Sequence, residues 1–111
     1  MKRLGYALAG LVTLLKKDKK FVMHIMIAIV VCAAGWYLGL SRTEWLFIII
    51  SICLVLAFEA LNTAVEYAVD LITEDYHLLA KYAKDIAAFS VLIVAIMTAI
   101  IGLIIFIPKL I

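Results

Sequence analysis

The 111 residues include one proline, two cysteines and five glycines, and only 16% of them are charged. Each shortage excludes something. Cys32 and Cys53 both sit inside apolar runs. A disulfide-stapled secreted module is therefore excluded, and both cysteines read as small apolar packing residues. Soluble domains are roughly 25% charged and about 45–50% apolar. Here the apolar share is 68%, and so small a chain has too little polar surface to cover that much apolar material. Disorder is excluded on the same ground. The glycines (Gly5, Gly10, Gly35, Gly39 and Gly102) build neither a Walker loop nor a G-x-G-x-x-G turn. Gly35 and Gly39 make one G-x-x-x-G, either a helix-packing signal or chance. No nucleophilic triad stands out, and no nucleic-acid partner is expected. What remains is a small integral membrane protein.

Three apolar runs organise the chain. Phe21 to Ser41 carries no formal charge, only His24. Trp45 to Phe58 is uncharged and continues in helical pattern to Ile72, and Ile86 to Pro108 is uncharged until Lys109. A bilayer core needs about 20 residues of helix, and unpaired strand backbone cannot sit in lipid. The predicted fold is all-α, a single membrane domain over residues 1–111 with transmembrane helices at about 21–41, 45–72 and 86–108. Pro108 falls where the last helix should stop. Before the first span, Leu4, Leu8, Leu11 and Leu15 recur at helical spacing. They predict an amphipathic surface helix over about 3–16, with its basic end at the headgroups. A cleaved leader fits less well, because Lys16-Lys17-Asp18-Lys19-Lys20 and a second apolar run follow at once.

Lys2, Arg3, Lys16, Lys17, Lys19 and Lys20 precede the first span, and Lys81 and Lys84 follow the second. Only Arg42 and Lys109 lie on the other side. The N-terminus and the second connection should therefore face the cytoplasm. The Lys16–Lys20 cluster reads as an anchor to anionic lipid, with a phosphate-site role open because Asp18 lies inside it. Trp36, Tyr37 and Trp45 read as an outer aromatic belt.

The acidic residues are sorted too. Glu59, Asn62, Glu66 and Asp70 fall within a sector of about 80° around one helix. Measured from Trp45, Glu59 lies roughly 21 Å and Glu66 roughly 31 Å along it. Glu59 is then inside the apolar layer and Glu66 near its cytoplasmic surface. A carboxylate in lipid costs several kcal/mol unless paired, protonated or facing a wet cavity. Three helices cannot shield such a stripe, so a site completed by another subunit is expected. Carboxylates at an interface suit magnesium, which takes one or two of them plus substrate phosphates. Lys84 could neutralise phosphate, and Glu59 sits at a depth a lipid headgroup reaches, where it could serve as general base. The spacing points to phosphoryl transfer onto a hydroxyl held at the interface.

Glu59-Ala-Leu-Asn62-Thr-Ala-Val-Glu66-Tyr-Ala-Val-Asp70, then Asp75-Tyr76-His77 and Ala83-Lys84-Asp85, closely resembles the small prokaryotic diacylglycerol kinase family, which includes undecaprenol kinases of Gram-positive bacteria. The likeness runs from Tyr6 and Gly10 through the third span. It implies a homotrimer in the bacterial cell membrane that transfers the γ-phosphate of MgATP to a lipid alcohol. Carried over by position, Glu59 is the catalytic base and meets the lipid substrate. Glu66 and Asp18 bind metal, and Asp18, Asn62, Glu66, Asp70, Lys84 and Asp85 surround the ATP phosphates. Tyr6, Asp75, Tyr76 and His77 match nucleotide-contacting positions. Asp18 departs from the pattern, which usually has glutamate three residues before Phe21. Phe89-Ser90 stands where small residues are more usual. His24 and the run from Asp75 to Lys81 look most like the undecaprenol branch, with diacylglycerol the alternative acceptor. A non-enzymatic alternative is a small proton- or cation-conducting membrane oligomer with Glu59 as carrier, though the outer halves of all three spans are apolar.

Overall fold

The computed structural model describes residues 2–111. All regular structure among them is helical: α1 (Lys2–Lys17), α2 (Lys19–Leu38), α3 (Arg42–Ile72) and α4 (Leu78–Leu110). The last three are long and apolar enough to cross a membrane. At 31 residues, α3 is about 46 Å long against a hydrocarbon core of about 30 Å. The helix is therefore longer than the apolar layer is thick, and its surplus falls at the ends.

No residue of α1 is buried, and Leu4, Leu8, Leu11 and Leu15 are all exposed along it. The chain breaks helix at Asp18, whose extended backbone (φ −104°, ψ 97°) lets its side chain cap α2 by accepting from the Lys20 and Phe21 amides. Between α2 and α3 stands a tight corner. Gly39 adopts φ +70°, which only glycine tolerates cheaply, and its amide donates to the Gly35 carbonyl. Ser41 and Glu44 then close a reciprocal cap on α3, with bonds of 3.2 and 2.9 Å. The G-x-x-x-G pair thus builds this corner.

Helices α3 and α4 pack along their length as an antiparallel hairpin. Lys84 pairs with Asp70 at 2.6 Å near the turn, and Lys109 pairs with Glu44 at 3.1 Å at the far end. The apolar core sits at the end of the hairpin nearest the α2–α3 corner, where Leu40, Ile48 and Ile105 are buried against Trp45, Ile101 and Phe106.

Both ends of α4 differ from those predicted. Helix α4 starts at Leu78, eight residues before the uncharged run, so Lys81, Lys84 and Asp85 stand on a helix and not in a loop. The residues between are good helix formers, and the His77 ring nitrogen Nδ1 caps them by accepting from the Leu79 amide at 3.1 Å. At the other end α4 passes through Pro108 to Leu110. A proline this close to the terminus removes one hydrogen bond without stopping the helix.

Candidate active site

The inward face of α3 changes character along its length. Ile48, Ser51 and Val55 are buried in its first half, then Glu59, Asn62 and Thr63 in its second. Glu59 is only 2% exposed. One turn further on, Thr63 Oγ1 lies 3.2 Å from Glu59 Oε2. The same hydroxyl donates to Asp18 Oδ2, across the junction of α1 and α2. The other Asp18 oxygen accepts from the Lys20 and Phe21 amides at 3.0 and 3.1 Å. Burial alone would raise the affinity of Asp18 for its proton. The bonds from Thr63, the Phe21 amide, Glu59 and the Lys20 amide outweigh it and hold the Asp18 carboxyl below its ordinary value.

Beside this trio, Asn62 Nδ2 donates to Glu66 Oε1 at 3.2 Å. The Lys20 ammonium stands 3.6 Å from the same oxygen. Asp18, Lys20, Thr63 and Glu66 line one hollow of about 330 Å³. A second hollow of about 460 Å³ lies at the α3–α4 turn and is lined by Asp70, Asp75, Tyr76, His77, Lys84 and Asp85. Here Asp70 is bound to Lys84, and Asp85 to Lys81 at 2.6 Å. The sequence-predicted residues thus fall into two groups, one around Glu59 and one around Lys84. Tyr6, on α1, is 73% exposed and lines neither hollow.

Among the described residues, no three acidic, histidine or cysteine side chains converge closely enough to cage a metal ion. Magnesium does not require such a cage; one or two carboxylates plus phosphate oxygens are its usual set. Asp18 and Glu66 line the same hollow. Next to them the Asn62 carbonyl oxygen is buried with no hydrogen-bond partner. Asp18 has three of its roughly four lone-pair sites taken, leaving one free. This hard-oxygen set fits a magnesium ion that arrives with phosphates.

Two residues of the cluster were not singled out in the sequence, Thr63 not at all and Lys20 only as part of the Lys16–Lys20 anchor. Thr63 lies one turn from Glu59, so it shares the acidic stripe, but its bond to Asp18 spans 45 positions and leaves no periodic trace. Lys20 is one of several lysines in a run, and nothing in its spacing distinguishes it from the others.

Residues 5–106 match the family described as prokaryotic diacylglycerol kinase. The chain is similar to the undecaprenol kinase of Bacillus subtilis, 44% identical over 95 residues that cover 86% of this chain and 77% of that protein. It is 38% identical over 106 residues to a diacylglycerol kinase of Synechocystis, covering 95% of this chain and 61% of that longer protein. A diacylglycerol kinase of Haemophilus influenzae is 36% identical over 88 residues, covering 79% of this chain and 75% of that one.

Proposed function

The chain belongs to the prokaryotic diacylglycerol kinase family and is a lipid kinase, and we propose that it transfers the γ-phosphate of ATP to the hydroxyl of undecaprenol at the cytoplasmic face of a bacterial cell membrane. The observation that carries this reading is Glu59, an acid shut from solvent inside a membrane-spanning helix and hydrogen-bonded at the edge of a polar hollow. The 44% identity to an undecaprenol kinase favours a polyisoprenol acceptor. The names of the relatives at 38% and 36% identity favour diacylglycerol as the second reading.

Glu59 takes the proton of the lipid hydroxyl. The freed oxygen forms its bond to the γ-phosphorus as the bond from that phosphorus to the β–γ bridging oxygen breaks, and ADP leaves. Asn62, Asp70, Lys84 and Asp85 surround the phosphates, with Lys84 offsetting their charge. Tyr6, Asp75, Tyr76 and His77 hold the rest of the nucleotide. Glu66 and Asp18 would hold magnesium, which supplies charge neutralisation on the phosphates when bound. The leucine row of α1 rests on the membrane with its basic ends among the headgroups. The N-terminus and the α3–α4 turn face the cytoplasm, and three copies assemble to complete the sites.

The test uses purified protein in mixed micelles with labelled ATP and Mg²⁺, offered undecaprenol, diacylglycerol and short alcohols side by side. Undecaprenol is expected to give the highest kcat/KM. A preference for diacylglycerol selects the second reading, and failure to phosphorylate either lipid overturns both.

A further inference from the structure

Thr63 is 6% exposed and touches both acids of the inner cluster. Its hydroxyl carries one proton, so it donates to one carboxylate at a time and has lone pairs for a second contact. The proton goes to Asp18 Oδ2, and the oxygen sits 3.2 Å from Glu59 Oε2. Asp18 in turn is fixed by two amides at the start of α2. A chain of contacts therefore runs from the α2 backbone through Asp18 and Thr63 to Glu59. Apart from Asp18 itself, which Thr63 bridges to it, Glu59 has no other hydrogen-bonding side chain bound to it among the described residues. A glutamate has three side-chain torsions, and the contact with Thr63 restricts where its carboxylate points.

We propose that Thr63 is a positioning residue for phosphoryl transfer, holding the Glu59 carboxylate in register with the lipid hydroxyl by tying it to Asp18. The proposal rests on the reading of Glu59 as general base. Thr63 need not touch either substrate. Its hydroxyl sets the direction of the base. A small misplacement of a reacting group can cost on the order of a hundredfold in rate. Loss of the hydroxyl should therefore act mainly on kcat, with only a small effect on nucleotide affinity through Asp18, because the cluster around Lys84 lies in the other hollow.

The test compares Thr63→Val, which keeps shape and loses the hydroxyl, with Thr63→Ser, which keeps the hydroxyl and loses the methyl. Glu59→Gln serves as control. Thr63→Val is expected to lower kcat by about tenfold to a hundredfold, with KM for ATP within about twofold. Thr63→Ser is expected to restore most of the loss. A residue that only packs α2 on α3 would give the reverse order, with Val the better substitute, and that order overturns the proposal. So does a normal kcat in Thr63→Val. Should Thr63→Val fail to fold, Thr63→Cys offers similar size with a weak donor; a kcat below that of Thr63→Ser supports the proposal, and one equal to it overturns it. If Glu59→Gln itself turns over normally, the reading of the base fails first, whatever the Thr63 variants do.

Discussion

Asp18 holds two positions at once. One oxygen caps α2 and the other takes the Thr63 hydroxyl. Aspartate is among the best N-cap residues because its short side chain reaches the amides two and three positions on. The longer glutamate of the family pattern would give up that fit for reach. The two jobs separate by substitution. Asp18→Asn keeps a capping oxygen and loses the charge. It is expected to stay within about 0.5 kcal/mol of the parent, as a cap of similar rank, while turnover falls. Asp18→Ala loses the cap as well and is expected to cost about 0.5–2 kcal/mol. Thermal unfolding in detergent beside a kinase assay distinguishes them; equal stability in the two variants would argue against the cap. The sign of the acid response follows from the same bonds. The Asp18 carboxyl is held below its ordinary value of 3.8. Its stabilising contribution is therefore full above that pH and is lost as pH falls through the lower, folded value. The Asp18→Asn variant should lack that acid-side loss, which unfolding midpoints recorded across acidic pH would reveal. At Glu59 the expectation is simpler. Glu59→Gln retains size and hydrogen bonding to Thr63 but cannot accept a proton, and turnover should fall by at least about a hundredfold.

Among the elements, the corner between α2 and α3 decides how closely the polar trio is assembled, since it fixes the angle at which α2 returns along α3. A Cβ on Gly35 would stand 2.7 Å from Leu40 Cδ1 and 3.0 Å from the Trp45 ring. Gly39 meets no neighbour but holds φ +70°. The two glycines should therefore fail differently. Gly39→Ala carries a backbone penalty of about 1–2 kcal/mol. Gly35→Ala is a packing lesion, and truncating its neighbour should relieve it. The double variant Gly35→Ala with Leu40→Ala is expected to be more stable than the sum of its two single losses implies. Simple additivity in thermal unfolding would contradict the collision. This corner also marks where sequence reading stops. The three spans were legible because a lipid-facing helix must be apolar throughout, and the stripe from Glu59 to Asp70 because helical geometry maps spacing onto a face. The start of α4 was not, because Lys81, Lys84 and Asp85 interrupt the apolar run that served as the marker, while helix propensity and the His77 cap carry no apolar signal. The Asp18–Thr63 bond was hidden for another reason. It depends on how two helices dock, and no local spacing encodes that.

Taken as a whole, one chain assembles the proposed site in two halves that do not merge. Asp18, Thr63 and Glu66 line one hollow with Glu59 buried behind Thr63, and the Lys84–Asp70 and Lys81–Asp85 pairs line the other. Phosphoryl transfer needs the γ-phosphate within bonding distance of the lipid hydroxyl. Much apolar surface is also exposed on a single copy, including Ile49, Ile50 and Leu61 on α3. Some of that surface faces lipid, but a second polar hollow cannot be completed by lipid. The simplest closure places the Lys84 half of one copy against the Glu59 half of another, around a symmetry axis that repeats the contact. Subunit mixing tests this directly. Glu59→Gln chains and Asp85→Asn chains should each be inactive alone. Denatured together and reassembled in detergent, they should recover activity above the sum of the two parents, because some sites then combine an intact Glu59 from one copy with an intact Asp85 from another. If each site belongs to a single chain, every site in the mixture carries one lesion and no activity returns.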